Sequence, residues 1–441
     1  MEPTPNKDNM TDPSDAIEKE KRCPDCGEPL ISHPDYRSWC PACDWNVLPK
    51  EEEAEELPPY ERLYRRLGDR MAADLFKKVA EQHNLTPNVS AARLISILLA
   101  LSIHVATLLL VILALVLLYV GWPRLPMVLL ALLALGIAWL IRPRLTPKPE
   151  RYLTRADLPA LFGLVDRISQ QLSAPAVAGI VLTPEFNASY GVGGVPPQPF
   201  LKLGLPLLSL LDDQEKVALL SHEIAHGVNG DPTRGFLVGM ALESLSWWAY
   251  ILRPEAIFNS GDGSIQGLLF GLLLVPLMVI MLLLSKLSEA MLRLLLYLLF
   301  YDSQRAEYYA DRLAADVAGS KAARSLIDTF HYSRLFQTLT HTFVTNNPAA
   351  SLFDAFKTAA DALPQGEIER LRRADQLTQS RLDVTHPPTN FRQEMLARRG
   401  EVPPSLTLST EEADAVATEL AAHEAQVHRE ILDAYEATLY Y

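Results

Sequence analysis

The chain has 441 residues, of which 49% are hydrophobic and 21% charged, with a formal net charge of -13. That is more chain than one ordinary soluble domain needs, and its apolar content suits a mixture of membrane and soluble parts. The acidic balance excludes a general nucleic-acid binder, which would present a basic face.

Residues 1–21 are polar and acidic, with no apolar stretch to engage a secretion channel, and read as a disordered tail. All four cysteines fall between Cys23 and Cys43. CPDCG and CPAC set two CxxC pairs, Cys23 with Cys26 and Cys40 with Cys43. Such pairs form knuckles that close one tetrahedral S4 site at about 2.3 Å from the metal. Residues 22–48 are therefore predicted as a zinc ribbon holding a structural zinc, with a redox dithiol as the alternative. Asp25, Glu28, Asp35 and Asp44 turn the ribbon away from nucleic acid and toward a protein partner or substrate. An acidic linker and a charged helical stretch follow over 49–90.

Leu94 to Tyr119 is almost wholly apolar and long enough to span a bilayer. Gly121-Trp122-Pro123 makes a turn, and Leu125 to Ile141 sits near the lower limit of about 17 residues. Together they read as a transmembrane hairpin over 91–142. His104, inside the first span, is expected as a neutral histidine bonding a neighbouring helix. A soluble pattern then resumes, with an amphipathic helix from Leu158 to Leu172, a strand from Ala178 to Leu182, glycine-rich Asn187 to Gly194, and a strand from Phe200 to Leu205. Two further spans are predicted at about 235–252, which contains Glu243, and 266–285, kinked at Pro276. Lys286, Glu289 and Arg293 recur at helical spacing, as if the helix leaves the membrane there. From Tyr301 the chain reads as soluble and helical, with 401–441 as a C-terminal extension. The hairpin turn holds only Arg124 and the segment between the last two spans only Arg253, whereas the other flanks are basic. The positive-inside rule then puts both soluble parts in the cytoplasm, at the cell membrane.

DDQEKVALLSHEIAHGVNGD begins with a capping box, Asp212 and Glu215, and stops at Gly230. His222 and His226, four apart on that helix, project from one face and can reach one zinc ion at about 2.0–2.1 Å. Glu223 follows the first ligand and can take a proton from the attacking water. In HEAQVH the histidines, His423 and His428, stand five apart and about 140° around a helix, so they read as surface residues. A catalytic zinc keeps three protein ligands and one open position, so one ligand must come from elsewhere. The best candidate is Glu307 in RAEYYADRLAA, with Asp311 one turn on to orient a ligand histidine.

HEIAHGVNGD followed by EYYAD resembles the family of membrane gluzincins that contains the heat-shock protease HtpX and the CAAX prenyl endopeptidases, over roughly residues 90–400. The resemblance implies His222, His226 and Glu307 as zinc ligands, Glu223 as base and Asp311 behind a ligand. THPPTNFR matches the family's His-Pro motif, which implies that His386 and Arg392 lie near the active site and stabilise the oxyanion. Asn187-Ala188 resembles the family's edge-strand segment, beside which substrate adds as an extra strand. The expected fold is mainly α, a multi-span helical membrane protein with a small ribbon in front. Its metallopeptidase domain, 150–400, adds a small β-sheet to the helices. The expected function is that of a zinc endopeptidase in the lipid bilayer, acting on misfolded or membrane proteins, with one catalytic and one structural zinc. A BlaR-type sensor peptidase that cleaves one regulator, and a non-catalytic scaffold acting through the ribbon, are the alternatives.

Overall fold

The computed structural model describes residues 21–48, 72–80, 91–143, 149, 151–229, 236–254, 265–346, 350–378 and 387–439. The tail, most of the acidic linker, Gly230 and His386 lie outside the described residues.

The ribbon is a hairpin of β1 (Ile31–His33) and β2 (Tyr36–Trp39), antiparallel, between the two cysteine pairs. Helices α1 (Ala91–Gly121) and α2 (Leu125–Leu140) pack against each other as the predicted hairpin. α1 and the stretch Val275–Ala318 are long and apolar enough to cross a membrane, while α2 is a shorter apolar helix. Only 17% and 11% of the two apolar windows are buried inside the protein. Leu94, Leu108, Leu133 and Leu283 are among the side chains left exposed, and apolar surface on that scale calls for an apolar solvent. His104 Nε2 donates to the Leu237 carbonyl at 3.2 Å, the helix-to-helix bond expected of it.

The body of helices and sheet follows. It comprises α3 (Pro159–Leu172), β3 (Gly179–Thr183), β4 (Ala188–Gly193), β5 (Gln198–Gly204), α4 (Leu205–Leu210) and α5 (Asp213–Asn229). Next come α6 (Phe236–Ile251), α7 (Ile265–Ala318), α8 (Ser320–Thr329), α9 (Ser333–Asn346), α10 (Leu352–Asp361), α11 (Gln365–Thr378), α12 (Thr389–Arg398) and α13 (Thr410–Leu439). The glycine-rich segment after Asn187 is itself a strand, and the sheet order is β3-β5-β4, with β3 parallel and β4 antiparallel to β5. The core joins the apolar face of α3, the inner face of the sheet and an α5 buried nearly all round, with Val217, Leu220 and Ile224 fully inaccessible. α13 belongs to that core rather than to an appended extension. It contributes Val416, Leu420, Val427 and Ile431. Its Glu419 accepts the Ala160 and Leu161 N–H groups at 2.6 and 2.9 Å, capping α3. His423 and His428 are half-buried rather than surface side chains.

The helices after the HEIAH motif pair in an unexpected register. Arg253, placed by the basic-residue count on the far face of the membrane, donates from Nη2 to Glu289 Oε1 at 3.2 Å. Ser285 Oγ donates to the Ala249 carbonyl at 2.7 Å, and Val238, Ala241 and Leu245 pack with Leu295 and Leu299. α6 therefore runs beside 285–299 of α7. Arg253 and Glu289 share one level, since an ion pair cannot reach across a hydrocarbon core of about 30 Å. α6 is about 24 Å long and carries Glu243 exposed.

Candidate active site

α5 starts on the expected capping box. The Glu215 N–H donates to Asp212 Oδ1 at 2.7 Å and the Asp212 N–H to Glu215 Oε2 at 2.8 Å. Its burial against α3, α7 and β4 fixes which way the histidines point. α7 brings Glu307 to the same face from across the core. His222 Nε2 lies 3.3 Å from Glu307 Oε2, His226 Nε2 lies 3.5 Å from Glu307 Oε1, and the two Nε2 atoms are 3.4 Å apart.

These separations test the fit to a metal. Donors about 2.05 Å from one tetrahedral ion stand about 3.3 Å from each other. The separations found are of that size, with Glu307 facing His222 through Oε2 and His226 through Oε1, and all three residues are at most 3% exposed. Two imidazoles and a carboxylate with one face left open are a suitable set for zinc.

Behind the triangle runs a second line of bonds. His222 Nδ1 is 3.0 Å from Asp311 Oδ1. Arg392 donates to the same carboxylate twice, Nε to Oδ2 at 2.8 Å and Nη2 to Oδ1 at 2.6 Å. Burial by itself would push the His222 imidazole down, but hydrogen bonds to Asp311 and Glu307 outweigh it and hold it up at about 9.

Glu223 points to the other side, where its Oε2 accepts the Tyr190 backbone N–H at 2.8 Å. β4 is one of the two edge strands of the sheet among the described residues. The Gly204 N–H donates to the Asn187 carbonyl, so by alternation the Ala188 and Tyr190 peptide groups face away from β5. Asn187 lines a cavity of about 190 Å³ together with His222, Glu223, Leu326, Phe330 and Arg392. Asn187, Glu223 and Arg392 are thus brought to one cavity with His222, while Ala188, next to Asn187 in sequence, is buried in the core, and His386 is outside the described residues. Arg392 lines the cavity, but two of its donors are committed to Asp311 rather than left for an oxyanion.

Two residues of the site had no signal in the sequence reading. One is Tyr190, through its amide. The other is Gly227, where a Cβ would stand 2.8 Å from the Tyr190 hydroxyl oxygen, so a side chain there would displace the Tyr190 ring. A glycine directly after the second histidine was the legible hint.

The four cysteines form the second cluster. Cys23 Sγ and Cys43 Sγ are 3.6 Å apart, and Cys26 Sγ and Cys40 Sγ 3.5 Å. A disulfide would need about 2.05 Å, whereas sulfurs sharing a tetrahedral zinc stand about 3.8 Å apart. All four sulfurs lie within 4.8 Å of one another, which fits a closed S4 zinc site.

The comparisons with known proteins agree with this arrangement. A protein named Protease HtpX homolog from Pyrobaculum islandicum is 28% identical over 244 residues, covering 54% of this chain and 66% of that relative. One of the same name from Pyrobaculum calidifontis is 25% identical over 245 residues, covering 54% and 67%. A third, from Desulforapulum autotrophicum, is 26% identical over 126 residues, covering 27% and 41%. The alignments thus span between 41% and 67% of these relatives' lengths. No solved structure matches the chain. Residues 164–399, more than half of the chain, match the model of the family described as Peptidase family M48, and they include His222, Glu223, His226, Glu307 and Asp311; the protein belongs to that family.

Proposed function

We propose that the protein is a membrane-embedded zinc endopeptidase. The observation that carries this reading is the triangle of His222, His226 and Glu307 at tetrahedral spacing, with Glu223 held beside its open face. Zinc in that triangle supplies Lewis acidity toward the scissile carbonyl and toward water. Glu223, oriented by the Tyr190 amide, takes the proton from the attacking water and hands it to the leaving amine. The outward N–H and C=O of Ala188 suit an extended substrate that pairs by its backbone, which tolerates many side chains. Asp311 fixes the tautomer and tilt of His222, and Arg392 holds Asp311. His386 is proposed as an oxyanion donor by its place in THPPTNFR. Misfolded or membrane proteins are the proposed substrate class, since a site continuous with apolar α7 lies near the bilayer. The ribbon cysteines hold a second, structural zinc.

The ribbon and the active site are proposed to face the cytoplasm. Proteolysis of right-side-out vesicles that removes the ribbon from outside would overturn that orientation. The activity is tested with an unfolded model protein as substrate and purified, zinc-loaded, detergent-solubilised enzyme. Cleavage by the parent and none by Glu223→Gln supports the reading, and equal cleavage by both defeats it. Cleavage by neither favours a narrow sensor peptidase or a scaffold.

A further inference from the structure

The segment that carries Arg392 is gripped by residues from the N-terminal part of the chain, outside the matched region 164–399. The ribbon sits on α11. Trp39 Nε1 donates to the Gly366 carbonyl at 3.1 Å, and Trp39 and Val47 bury Ala374 between them. Arg373 Nη1 donates to the Pro41 carbonyl at 2.5 Å and to Asp44 Oδ1 at 2.8 Å. The approach leaves no slack, because a Cβ on Gly366 would stand 2.5 Å from Ile31 Cγ2.

The helical residues 72–80 grip the next helix. Phe76 stacks on Phe391 of α12, ring centroids 4.7 Å apart and planes 10° from parallel. Phe76 and Val79 share a buried cluster with Met395 of α12 and Tyr308 of α7. The two helices so held frame the active site. Arg372 of α11 makes two bonds to Asp328, at 3.2 and 2.7 Å, and Gln393 of α12 donates to the same carboxylate at 3.1 Å. Asp328 directly follows Ile327, which lines the cavity. α11 and α12 have 14 and 10 residues, and α12 has no side-chain cap. Helices of that length are marginal by themselves in water and take their stability from what they pack against.

We propose that residues 21–48 and 72–80 are the two arms of a metal-dependent clamp. The ribbon, closed by its four cysteines around zinc, holds α11, and residues 72–80 hold α12, so that Arg392 stays on Asp311 and Asp311 on His222. Trp39, Arg373 and Phe76 are then positioning residues, since they touch neither the ligand triangle nor the cavity. The effect on activity rests on the peptidase reading, but the structural effect does not.

The test uses the full chain in detergent. The Gly366→Val, Arg373→Ala double variant unseats the ribbon without touching a cysteine, and Phe76→Ala releases the other arm. Zinc content, amide hydrogen exchange and hydrolysis of the unfolded substrate are read together. With two zinc ions still bound per chain, exchange across 387–398 is expected to rise about tenfold or more while 213–229 stays protected. kcat falls about tenfold, with KM within about twofold, as for loss of an arrangement rather than of substrate binding. If the ribbon peptides 23–47 lose protection and 387–398 does not, there is no clamp. Where the double variant leaves the ribbon protected, Cys23→Ser with Cys40→Ser opens it and the same comparison decides. A parent enzyme that cleaves nothing defeats the peptidase reading, and the exchange data still decide the clamp.

Discussion

Asp311 is the residue whose replacement most directly tests the geometry behind the metal triangle. Its Oδ1 receives both His222 Nδ1 at 3.0 Å and Arg392 Nη2 at 2.6 Å, and its Oδ2 receives Arg392 Nε at 2.8 Å. Asp311→Asn keeps the shape but turns one of these oxygens into a donor. An NH2 in place of Oδ2 faces the Arg392 Nε–H and loses one charge-assisted bond, about 1.5–3 kcal/mol, whereas in place of Oδ1 it loses two. Arg392, 6% exposed, is also left without its counter-charge, and breaking a buried pair costs about 3–5 kcal/mol when the remaining charge cannot relax. His222 loses a charged acceptor, which by itself lowers metal affinity about 10- to 100-fold. Competition against a chromophoric chelator measures the zinc Kd, and circular dichroism on heating separates a loosened site from an unfolded protein. A Kd within about twofold of the parent, in a variant of unchanged helical signal, would refute the idea that Asp311 positions His222.

Other outcomes follow from single contacts. Purified protein should carry two zinc ions per chain by elemental analysis, and Cys40→Ser should lose one of them while the His222 site stays loaded; retention of both would remove the S4 site. Gly227→Val drives a Cβ branch into the buried Tyr190 ring, at an overpacking cost of about 1–3 kcal/mol, and should cut kcat at least about tenfold with zinc retained, because the Tyr190 amide leaves Glu223. Glu419→Ala uncaps two N–H groups of α3 and should cost about 1–2 kcal/mol, a drop in Tm of a few degrees; an unchanged Tm would show that α13 does not stabilise the core.

Local chemistry was legible in the sequence because it is written in short spacings. The Asp212–Glu215 box fixed where α5 begins, the four-residue step from His222 to His226 put two donors on one face, and two CxxC pairs announced four converging sulfurs. Hydropathy announced α1 and the apolar part of α7. Pairings between distant segments left no such mark. The register of α6 along α7 is set by Ser285 meeting Ala249 and Arg253 meeting Glu289, and a count of basic residues cannot report it. HEAQVH reads as a surface pattern, yet α13 buries Val416, Leu420, Val427 and Ile431 on one face because α3 and the sheet need a cover. The Tyr190 amide became part of the site because alternation along an edge strand aimed it at Glu223, and any residue there supplies the same N–H. The sequence by itself determined which side chains can bind metal and move a proton, since ligand identity and helical step are local properties. Only the tertiary structure decided that Glu307 closes the triangle at 3.3 and 3.5 Å, that Arg392 serves Asp311, and that the ribbon leans on α11, since each of these joins parts of the chain that only packing brings together.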